Sequence, residues 1–257
     1  MRHVIIGTAG HVDHGKSALI RALTGIETDR LKEEKERGLS IELGFAYFDL
    51  PDGLRAGIVD VPGHEKFIRN MLSGAYGMDI VLLVVDAKEG VQEQTFEHLE
   101  IIDLLGISIG ILVITKLDLV DANQLEESTE MSREMLVGTT LEGSPTVAVS
   151  NITGEGIDQL KQTIVDQVKN ATKEEFENGI PRLYADRIFI MSGFGAIVTG
   201  TLVGGIIQQD QRMKILPGRN EVRVRGIQVH NEPTVQALPG QRTAINLSNV
   251  TETISRG

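Results

Sequence analysis

The chain has 257 residues, of which 41% are hydrophobic and 24% are charged, as is typical of a globular protein with one large or two ordinary domains. It contains no cysteine, which excludes disulfides, thiolate metal sites and cysteine nucleophiles. No signal-like segment and no apolar run of membrane-spanning length occurs, so we expect a cytoplasmic protein without a membrane partner.

The net charge of −11 is unevenly distributed along the chain. From Pro181 onward there are nine basic and five acidic residues, whereas the preceding 180 residues carry 16 basic and 31 acidic side chains. This asymmetry is compatible with an anionic partner, such as RNA, at the C-terminal part. It also fits an ordinary solvated basic surface.

The first predicted strand, Val4–Ile6, leads into the sequence GHVDHGKS and then into a helical pattern at Lys16–Thr24. The eight residues fit G-x-x-x-x-G-K-[ST], and strand, loop and helix are the context that this phosphate-binding loop requires. Its backbone N–H groups and the helix N-terminus favour a polyphosphate, with the lysine on the terminal phosphates and the serine hydroxyl on Mg²⁺. The predicted nucleotide-binding residues of this loop are Val12, Asp13, His14, Gly15, Lys16, Ser17 and Ala18.

A polar stretch at Ile26–Gly44 follows the first helix and is typical of a solvated loop. Ser40 within it could reach the Mg²⁺ when the terminal phosphate is present. That contact would make the loop a nucleotide-dependent switch.

Strand and helix patterns then alternate as far as Lys169, and Pro51-Asp52-Gly53 indicates a tight turn inside an antiparallel hairpin. The other strands are continuous apolar runs, as in a parallel sheet that is covered on both faces. We therefore predict an α/β fold, a doubly wound and mainly parallel sheet of the P-loop NTPase type. The predicted strands are Phe45–Leu50, Ala56–Asp60, Ile80–Asp86, Ile109–Thr115 and Thr146–Ser150, and the helices are Glu65–Leu72, Gln92–Leu105, Ala122–Leu136 and Ile157–Lys169.

The sequence Asp60-Val61-Pro62-Gly63-His64 ends the third predicted strand. A carboxylate at this position can hold Mg²⁺ through water, and the N–H of Gly63 can contact a terminal phosphate. His64 could orient an attacking water, so Lys16, Gly63 and His64 are the predicted catalytic residues. His98 has no metal-ligand spacing and is expected to be structural or on the surface, as is His3.

The sequence Thr115-Lys116-Leu117-Asp118 ends the fifth predicted strand. A carboxylate there can accept hydrogen bonds from N1–H and the 2-amino group of guanine, while adenine offers neither donor and would leave it unpaired. The stem of Lys116 can cover the base, and Ser150-Asn151 follows the sixth strand where a loop would close over its other side. We therefore predict GTP or GDP, with Mg²⁺, as the ligand.

The polar sequence NATKEEFENG, at residues 170–179, is typical of a linker, and short alternating segments follow it. We predict a nucleotide-binding domain at 1–172, a linker at 173–180 and a small all-β barrel at 181–257.

These motifs together resemble the translational GTPases of the elongation factor Tu type, and among them the selenocysteine-specific elongation factors. The phosphate-binding loop alone is shared by many unrelated NTPases, but the combination is specific and covers nearly the whole chain. The stretches that carry the resemblance are Gly7–Lys16, Thr24–Leu31, Glu34–Phe45, Asp60–Leu72, Thr115–Asp118, Ala185–Phe189, Gly193–Gly200, Val222–Val229 and Ala237–Leu247.

The resemblance implies a factor that carries selenocysteinyl-tRNA to the ribosome at a recoded UGA codon and then hydrolyses GTP. It implies that His64 positions the catalytic water and that hydrolysis is slow until the ribosome places this side chain. It also implies an aminoacyl pocket between the two domains, formed by Asp186, Arg187 and Arg225, where guanidinium groups favour a selenolate over a seryl hydroxyl. An ordinary surface ion pair with Asp186 is the alternative for these arginines.

The sequence departs from the family pattern at several positions. Ser40 stands where threonine is usual, Asn151 replaces an alanine, and Thr115 replaces the asparagine of N-K-x-D, as in the selenocysteine-specific subfamily. The chain ends where the family has a closing strand, a further barrel and modules that bind the mRNA hairpin. We therefore expect a fragment that binds nucleotide but does not decode.

Three other functions stay open on the sequence alone. The first is another aminoacyl-tRNA carrier of the same class, such as an elongation or initiation factor. The second is an ATP-using transferase, against which Lys116 and Asp118 argue. The third is a module that binds nucleotide or tRNA without effective turnover.

Overall fold

The computed structural model describes residues 4–29, 33–34, 40–51, 55–75, 77–171, 179–191, 195–218, 220–229, 232–248, 250 and 254. The chain divides into two compact units, of which one covers 4–172 and the other contains 173–257. Most of the predicted linker, residues 173–178, lies outside the described residues, as does His3.

The first unit is built around a six-stranded sheet with the order β2-β3-β1-β4-β5-β6. Only β2 runs antiparallel to its neighbour, β3, and the other neighbouring strands are parallel. The predicted hairpin and parallel sheet are thereby confirmed. The strands are β1 (Ile5–Ala9), β2 (Gly44–Asp49), β3 (Arg55–Asp60), β4 (Ile80–Asp86), β5 (Gly110–Thr115) and β6 (Thr146–Ala148).

Helices cover both faces of this sheet. Along β4 every residue is buried, and alternate residues belong to two different hydrophobic clusters, with Leu82 in one and Leu83 in the other. This alternation follows from the two-residue period of a strand, and it explains why β4 is apolar throughout. The helices are α1 (Lys16–Thr24), α2 (Ile68–Ala75), α3 (Glu93–Leu104), α4 (Ala122–Leu136) and α5 (Ile157–Asn170).

The predicted helix at Glu65–Leu72 differs from the observed structure. A 3-10 turn at Glu65–Phe67 comes first, and the α-helix begins only at Ile68. None of the helices in the described part of the chain is both long and apolar enough to cross a membrane.

The second unit is antiparallel and barrel-like, which confirms the predicted all-β class. Its main sheet has the order β10-β11-β14-β8-β7, β12 pairs with β11, and β13 pairs with β9. Apolar residues that alternate along β8, β11 and β14 form its core. The strands are β7 (Arg182–Met191), β8 (Gly195–Val203), β9 (Ile207–Gln208), β10 (Arg212–Lys214), β11 (Glu221–Val229), β12 (Glu232–Thr234), β13 (Gln236–Ala237) and β14 (Arg242–Ser248).

Candidate nucleotide-binding site

The phosphate-binding loop joins the C-terminal end of β1 to the start of α1. Gly10 has a φ of 127°, and a Cβ atom on it would lie 2.2 Å from the carbonyl oxygen of Val84. Gly15 has a φ of 84° and is the N-cap residue of α1. Both glycines are therefore required by the backbone path, and the loop opens at the positive end of the helix dipole.

Lys16 lies inside the loop, where its Nζ donates to the carbonyl oxygens of Gly10 at 2.9 Å and His11 at 2.6 Å. Burial lowers the pKa of Lys16 to about 8, although Asp60 and Asp13 raise it. A polyphosphate bound by this loop would add negative charge beside the ammonium group and favour its charged form. The geometry therefore agrees with the predicted role of Lys16.

Two side chains of α3 accept hydrogen bonds from the backbone of the phosphate-binding loop. His98 Nδ1 accepts a hydrogen bond from the N–H of Gly10, and Gln94 Oε1 accepts one from Val12, both at 3.0 Å. Burial lowers the pKa of His98 to about 3, with a smaller contribution from the charge of Lys16. The ring is consequently neutral at pH 7 and keeps the lone pair that the Gly10 N–H needs. His98 is thus structural and buried, and sequence spacing does not reveal its partner.

His14 belongs to the loop itself, and its side chain is also fully buried. Its Nδ1 lies 3.4 Å from the carbonyl oxygen of Val84, and its Nε2 lies 3.6 Å from the Glu89 carboxylate. Burial lowers the pKa of His14 to about 4, so this ring is also neutral at pH 7.

The three residues predicted to hold Mg²⁺ are Ser17, Ser40 and Asp60, and each has polar partners in the structure. The hydroxyl oxygens of Ser17 and Ser40 are 2.9 Å apart. The Asp60 carboxylate accepts hydrogen bonds from Thr8 at 2.8 Å and Thr28 at 2.7 Å. Hydroxyl and carboxylate oxygens are ligands that Mg²⁺ prefers. Because each carboxylate oxygen of Asp60 already accepts a hydrogen bond, contact between Asp60 and Mg²⁺ through water is favoured.

Asp29 is a member of this oxygen cluster that sequence analysis did not identify. Its Oδ1 accepts a hydrogen bond from Ser40 at 2.7 Å. Burial raises the pKa of Asp29, and the charges of Asp60 and Glu34 raise it further. A divalent cation at Ser17 and Ser40 would relieve this repulsion, so the residues present fit Mg²⁺.

The protein alone does not complete a metal site. Among the described residues no group of three or more His, Cys, Asp or Glu side chains could hold a metal ion. Phosphate oxygens and water would therefore have to complete the coordination of a Mg²⁺ ion, as is usual for this cation.

The buried carboxylate of Glu34 fixes the segment that carries Ser40. Its Oε1 accepts hydrogen bonds from the N–H groups of Ile41 at 3.1 Å and Glu42 at 3.0 Å. The hydroxyl of Ser40 is thereby presented to Ser17 by a backbone that is itself bonded in place.

Gly63 lies directly against the phosphate-binding loop. A Cβ atom on Gly63 would be 2.4 Å from Lys16 Nζ and 2.7 Å from the backbone nitrogen of Val12. Any larger residue here would therefore push the loop or its lysine aside. This close approach agrees with the prediction that Gly63 contacts the same phosphate as Lys16.

His64 directly precedes the 3-10 turn at Glu65–Phe67 and is partly exposed. Its Nδ1 accepts a hydrogen bond from the N–H of Lys66 at 3.2 Å, and its ring packs edge-on against Phe67. The backbone bond leaves Nε2 as the nitrogen that carries the proton.

The predicted guanine-binding residues meet at the same rim of the sheet. Ser150 Oγ donates to Asp118 Oδ1 at 2.5 Å and accepts from the N–H of Thr153 at 3.1 Å. Thr115 Oγ1 donates to the carbonyl oxygen of His14 at 2.7 Å. Asp118 is thus held by a hydroxyl that is itself fixed by its own loop.

Lys116 is anchored by Asp86, a residue that sequence analysis passed over. The two groups are 2.5 Å apart, and Asp86 is only 1% exposed. Burial alone would raise the pKa of Asp86, but hydrogen bonds from Lys116 and from the N–H groups of Lys88 and Glu89 outweigh it and lower the pKa. Asp86 ends β4, so its position at a strand end was the available signal.

In the second unit, Asp186 of the predicted pocket pairs with an arginine outside the predicted set. Asp186 is 4% exposed, and its carboxylate binds the guanidinium of Arg242 and the hydroxyl of Thr199, the latter at 2.7 Å. Arg187 follows Asp186 on β7, whereas the exposed Arg225 lies on β11, and β8 and β14 lie between these strands in the sheet. The aminoacyl pocket therefore stays a prediction, and Arg242 is an additional residue next to Asp186.

Comparison with known proteins decides the family. Residues 1–170 match the model of the elongation factor Tu GTP binding domain. The chain belongs to this family. It is also 49% identical, over 95% of its length, to a selenocysteine-specific elongation factor of Desulfomicrobium baculatum, which confirms the predicted resemblance.

Two solved structures have the same fold over the whole chain. A bacterial selenocysteine-specific elongation factor matches with a TM-score of 0.93 and 39% identity. Elongation factor SelB from Methanococcus maripaludis, in complex with the GTP analogue GppNHp, matches with a TM-score of 0.90 and 34% identity. The chain spans 38% of the Desulfomicrobium protein and 44% and 54% of the two solved chains.

Proposed function

We propose that this chain is the GTP-binding part of a translation factor that delivers selenocysteinyl-tRNA to the ribosome for UGA recoding and hydrolyses GTP to GDP and phosphate. One observation carries the nucleotide part of this proposal. Asp118, held by Ser150, lies at the same rim of the sheet as Lys16 and Ser17, with Thr115 bonded to the phosphate-binding loop. These contacts support a base-selecting carboxylate and a phosphate site within one structure.

The chemistry of Asp118 favours guanine over adenine. Its carboxylate can accept two hydrogen bonds from N1–H and the 2-amino group, and the bond from Ser150 holds it in one orientation. Adenine would leave the carboxylate without these two donors, and sites of this kind discriminate by factors of about 10⁴.

Hydrolysis requires charge neutralisation and a positioned water. Lys16 and the loop N–H groups would neutralise the phosphates, while Ser17, Ser40 and, through water, Asp60 would hold a Mg²⁺ ion that stabilises charge on them. His64 would orient the attacking water from the segment that follows Gly63. Because His64 is partly exposed, a binding partner could contact this side chain and place it for catalysis.

Selenocysteine specificity rests on the relatives and on the second unit. We assign the aminoacyl pocket to Asp186, Arg187 and Arg225, with Arg242 as a further guanidinium next to Asp186. A selenol is ionised at neutral pH, so these groups favour it over a serine hydroxyl. Ribosome binding, and recognition of an mRNA hairpin by a region outside this chain, belong to the same proposal.

The decisive experiment is displacement of fluorescent GDP, in the presence of Mg²⁺, by GTP, ATP and GDP in separate titrations. We expect displacement by the two guanine nucleotides alone, and loss of this selectivity in Asp118→Ala. Displacement by ATP at the same concentration as GTP would refute the guanine assignment. A transferase that uses ATP would then be the better hypothesis.

The catalytic assignment is tested by His64→Ala. We expect GTP affinity to stay within about twofold of the wild type while ribosome-stimulated hydrolysis falls by about 10²-fold or more, as for a lost acid–base or water-orienting group. Parallel losses of affinity and rate would give His64 a structural role. Absence of stimulated hydrolysis in the wild type would instead favour a binding module.

A further inference from the structure

The side chain of Asn151 connects two loops of the nucleotide site. Its Nδ2 donates to the carbonyl oxygen of Gly15 at 3.2 Å, and Thr115 Oγ1 donates to the preceding carbonyl, that of His14, at 2.7 Å. Two successive carbonyl groups of the phosphate-binding loop are thus bonded to residues that flank the predicted guanine position.

The protein does not need Asn151 to satisfy the Gly15 carbonyl. That oxygen already accepts the N–H of Leu19 at 2.8 Å, in the first turn of α1. Asn151 Oδ1, moreover, is buried and has no hydrogen-bond partner among the described residues. An unsatisfied buried acceptor costs more than a typical hydrogen bond returns, so stability alone favours a small apolar residue here.

We infer that Asn151 is a positioning residue that clamps the guanine-side loop to the phosphate-binding loop and slows nucleotide release. The inference rests on the proposed function, because the ligand must span both loops, with its base at Asp118 and its phosphates at Lys16. Release then requires the two loops to separate, and the Asn151–Gly15 bond opposes that motion. Affinity differences of this kind appear mainly in the dissociation rate.

The test is stopped-flow release of fluorescent GDP from the wild type and from Asn151→Ala. The alanine keeps the backbone N–H and removes only the amide. We expect release to become about tenfold faster, which is the effect of one lost hydrogen bond. The melting temperature should not fall, because the unsatisfied Oδ1 is removed with the rest of the amide.

Thr140→Ala is a matched control outside the site. The Thr140 hydroxyl donates to the carbonyl oxygen of Ile107 at 2.7 Å. Ile107 lies just before the N-terminal end of β5, whereas Asn151 lies after the C-terminal end of β6. This variant should lower the melting temperature and leave GDP release unchanged.

Three outcomes would overturn the inference while the proposed function stands. The first is an unchanged release rate in Asn151→Ala. The second is faster release only in proportion to a lower melting temperature, as would be seen for a purely structural residue. The third is loss of the preference for GTP over ATP in Asn151→Ala. Since Asp118 and Ser150 are intact in this variant, Asn151 would then select the base instead of clamping the two loops. Failure of the wild type to bind GDP would refute the proposed function and the clamp together.

Discussion

The two units of the chain bring functional side chains together in different ways. In the first unit the loops that follow β1, β3, β5 and β6 meet at one rim, because the C-terminal ends of parallel strands lie at the same edge of a sheet. In the second unit neighbouring strands run in opposite directions, and contacts depend on register. Asp186 meets Arg242 across β8, at a point where the pairing of β7 shifts between Ala185 and Arg187.

This contrast shows which kind of site a sequence reveals. A motif at the end of a parallel strand has its position fixed by topology, so separate motifs can be combined. A β-bulge changes the direction in which a side chain points, so the usual alternation along the strand is interrupted. Ala185 and Asp186 are accordingly both buried although they are adjacent. The partner of Asp186 could therefore not be deduced from alternation along β7.

The strongest test of the first unit is Lys16→Ala. We expect the affinity for GDP and GTP to fall by about a hundredfold or more, because a buried charge that pairs with phosphate is lost. Titration of fluorescent GDP measures this loss, and circular dichroism checks that the fold is retained. An affinity within threefold of the wild type would mean that the loop does not bind phosphates through this residue.

The matching test of the second unit is Arg242→Ala, which leaves the Asp186 carboxylate buried without its cation. We expect the free energy of unfolding in urea to fall by about 3 kcal/mol. Arg223→Ala is the control, because Arg223 forms an exposed ion pair with Asp210 at 3.0 Å and should contribute less than about 1 kcal/mol. Equal losses in the two variants would contradict the buried pairing.

The sequence predicted most of the fold of the first unit, but it did not reveal the buried side chains that hydrogen-bond to the phosphate-binding loop. Asp60 and Asp118 were identified because their motifs stand at or just after the ends of apolar runs. His98 and Gln94 were not identified as supports of the loop, because they lie on a helix and their partners are more than eighty residues away. Only the packing of α3 against the sheet brings them to the phosphate-binding loop.

Acid should affect the first unit through its buried histidines. Above about pH 7.5, His14 and His98 are almost entirely neutral in both folded and unfolded chains and add little pH dependence. Their contribution grows as the pH falls through 6.5. Below that pH the unfolded chain binds protons first, because the folded pKa values are about 4 and about 3. The free energy of unfolding should therefore fall by about 1.4 kcal/mol per pH unit for each histidine as the pH drops towards 4.

Urea unfolding at pH 7.5 and 5.5 measures this effect, and His98→Gln is the informative variant. Glutamine keeps a carbonyl oxygen as a possible acceptor for the Gly10 N–H but does not titrate. The loss of stability between the two pH values should shrink by about 1.4 kcal/mol, the contribution of one histidine, since His14 remains. An unchanged pH dependence would show that His98 is not a source of the acid sensitivity.

The smallest structural effect is expected for Arg225→Ala. Arg225 is exposed, so its removal should change the free energy of unfolding by less than about 0.5 kcal/mol. If Arg225 lines the aminoacyl pocket, the variant should bind selenocysteinyl-tRNA more weakly while its affinity for seryl-tRNA changes less, as measured by filter binding. A uniform loss for both tRNAs would place Arg225 on the tRNA phosphates.

The position of β1 in the middle of its sheet has a consequence for the order of folding. Ile5 pairs with Gly57 and Ile6 with Ile80, so the strand that leads into the phosphate-binding loop is held only by partners far along the chain. Such contacts form after long loops have closed, which makes them slow. A nascent chain displays Gly10–Ser17 well before Val84, against which Gly10 packs, has been synthesised. Nucleotide capture therefore follows assembly of the sheet centre, and bound nucleotide then stabilises the assembled unit by mass action.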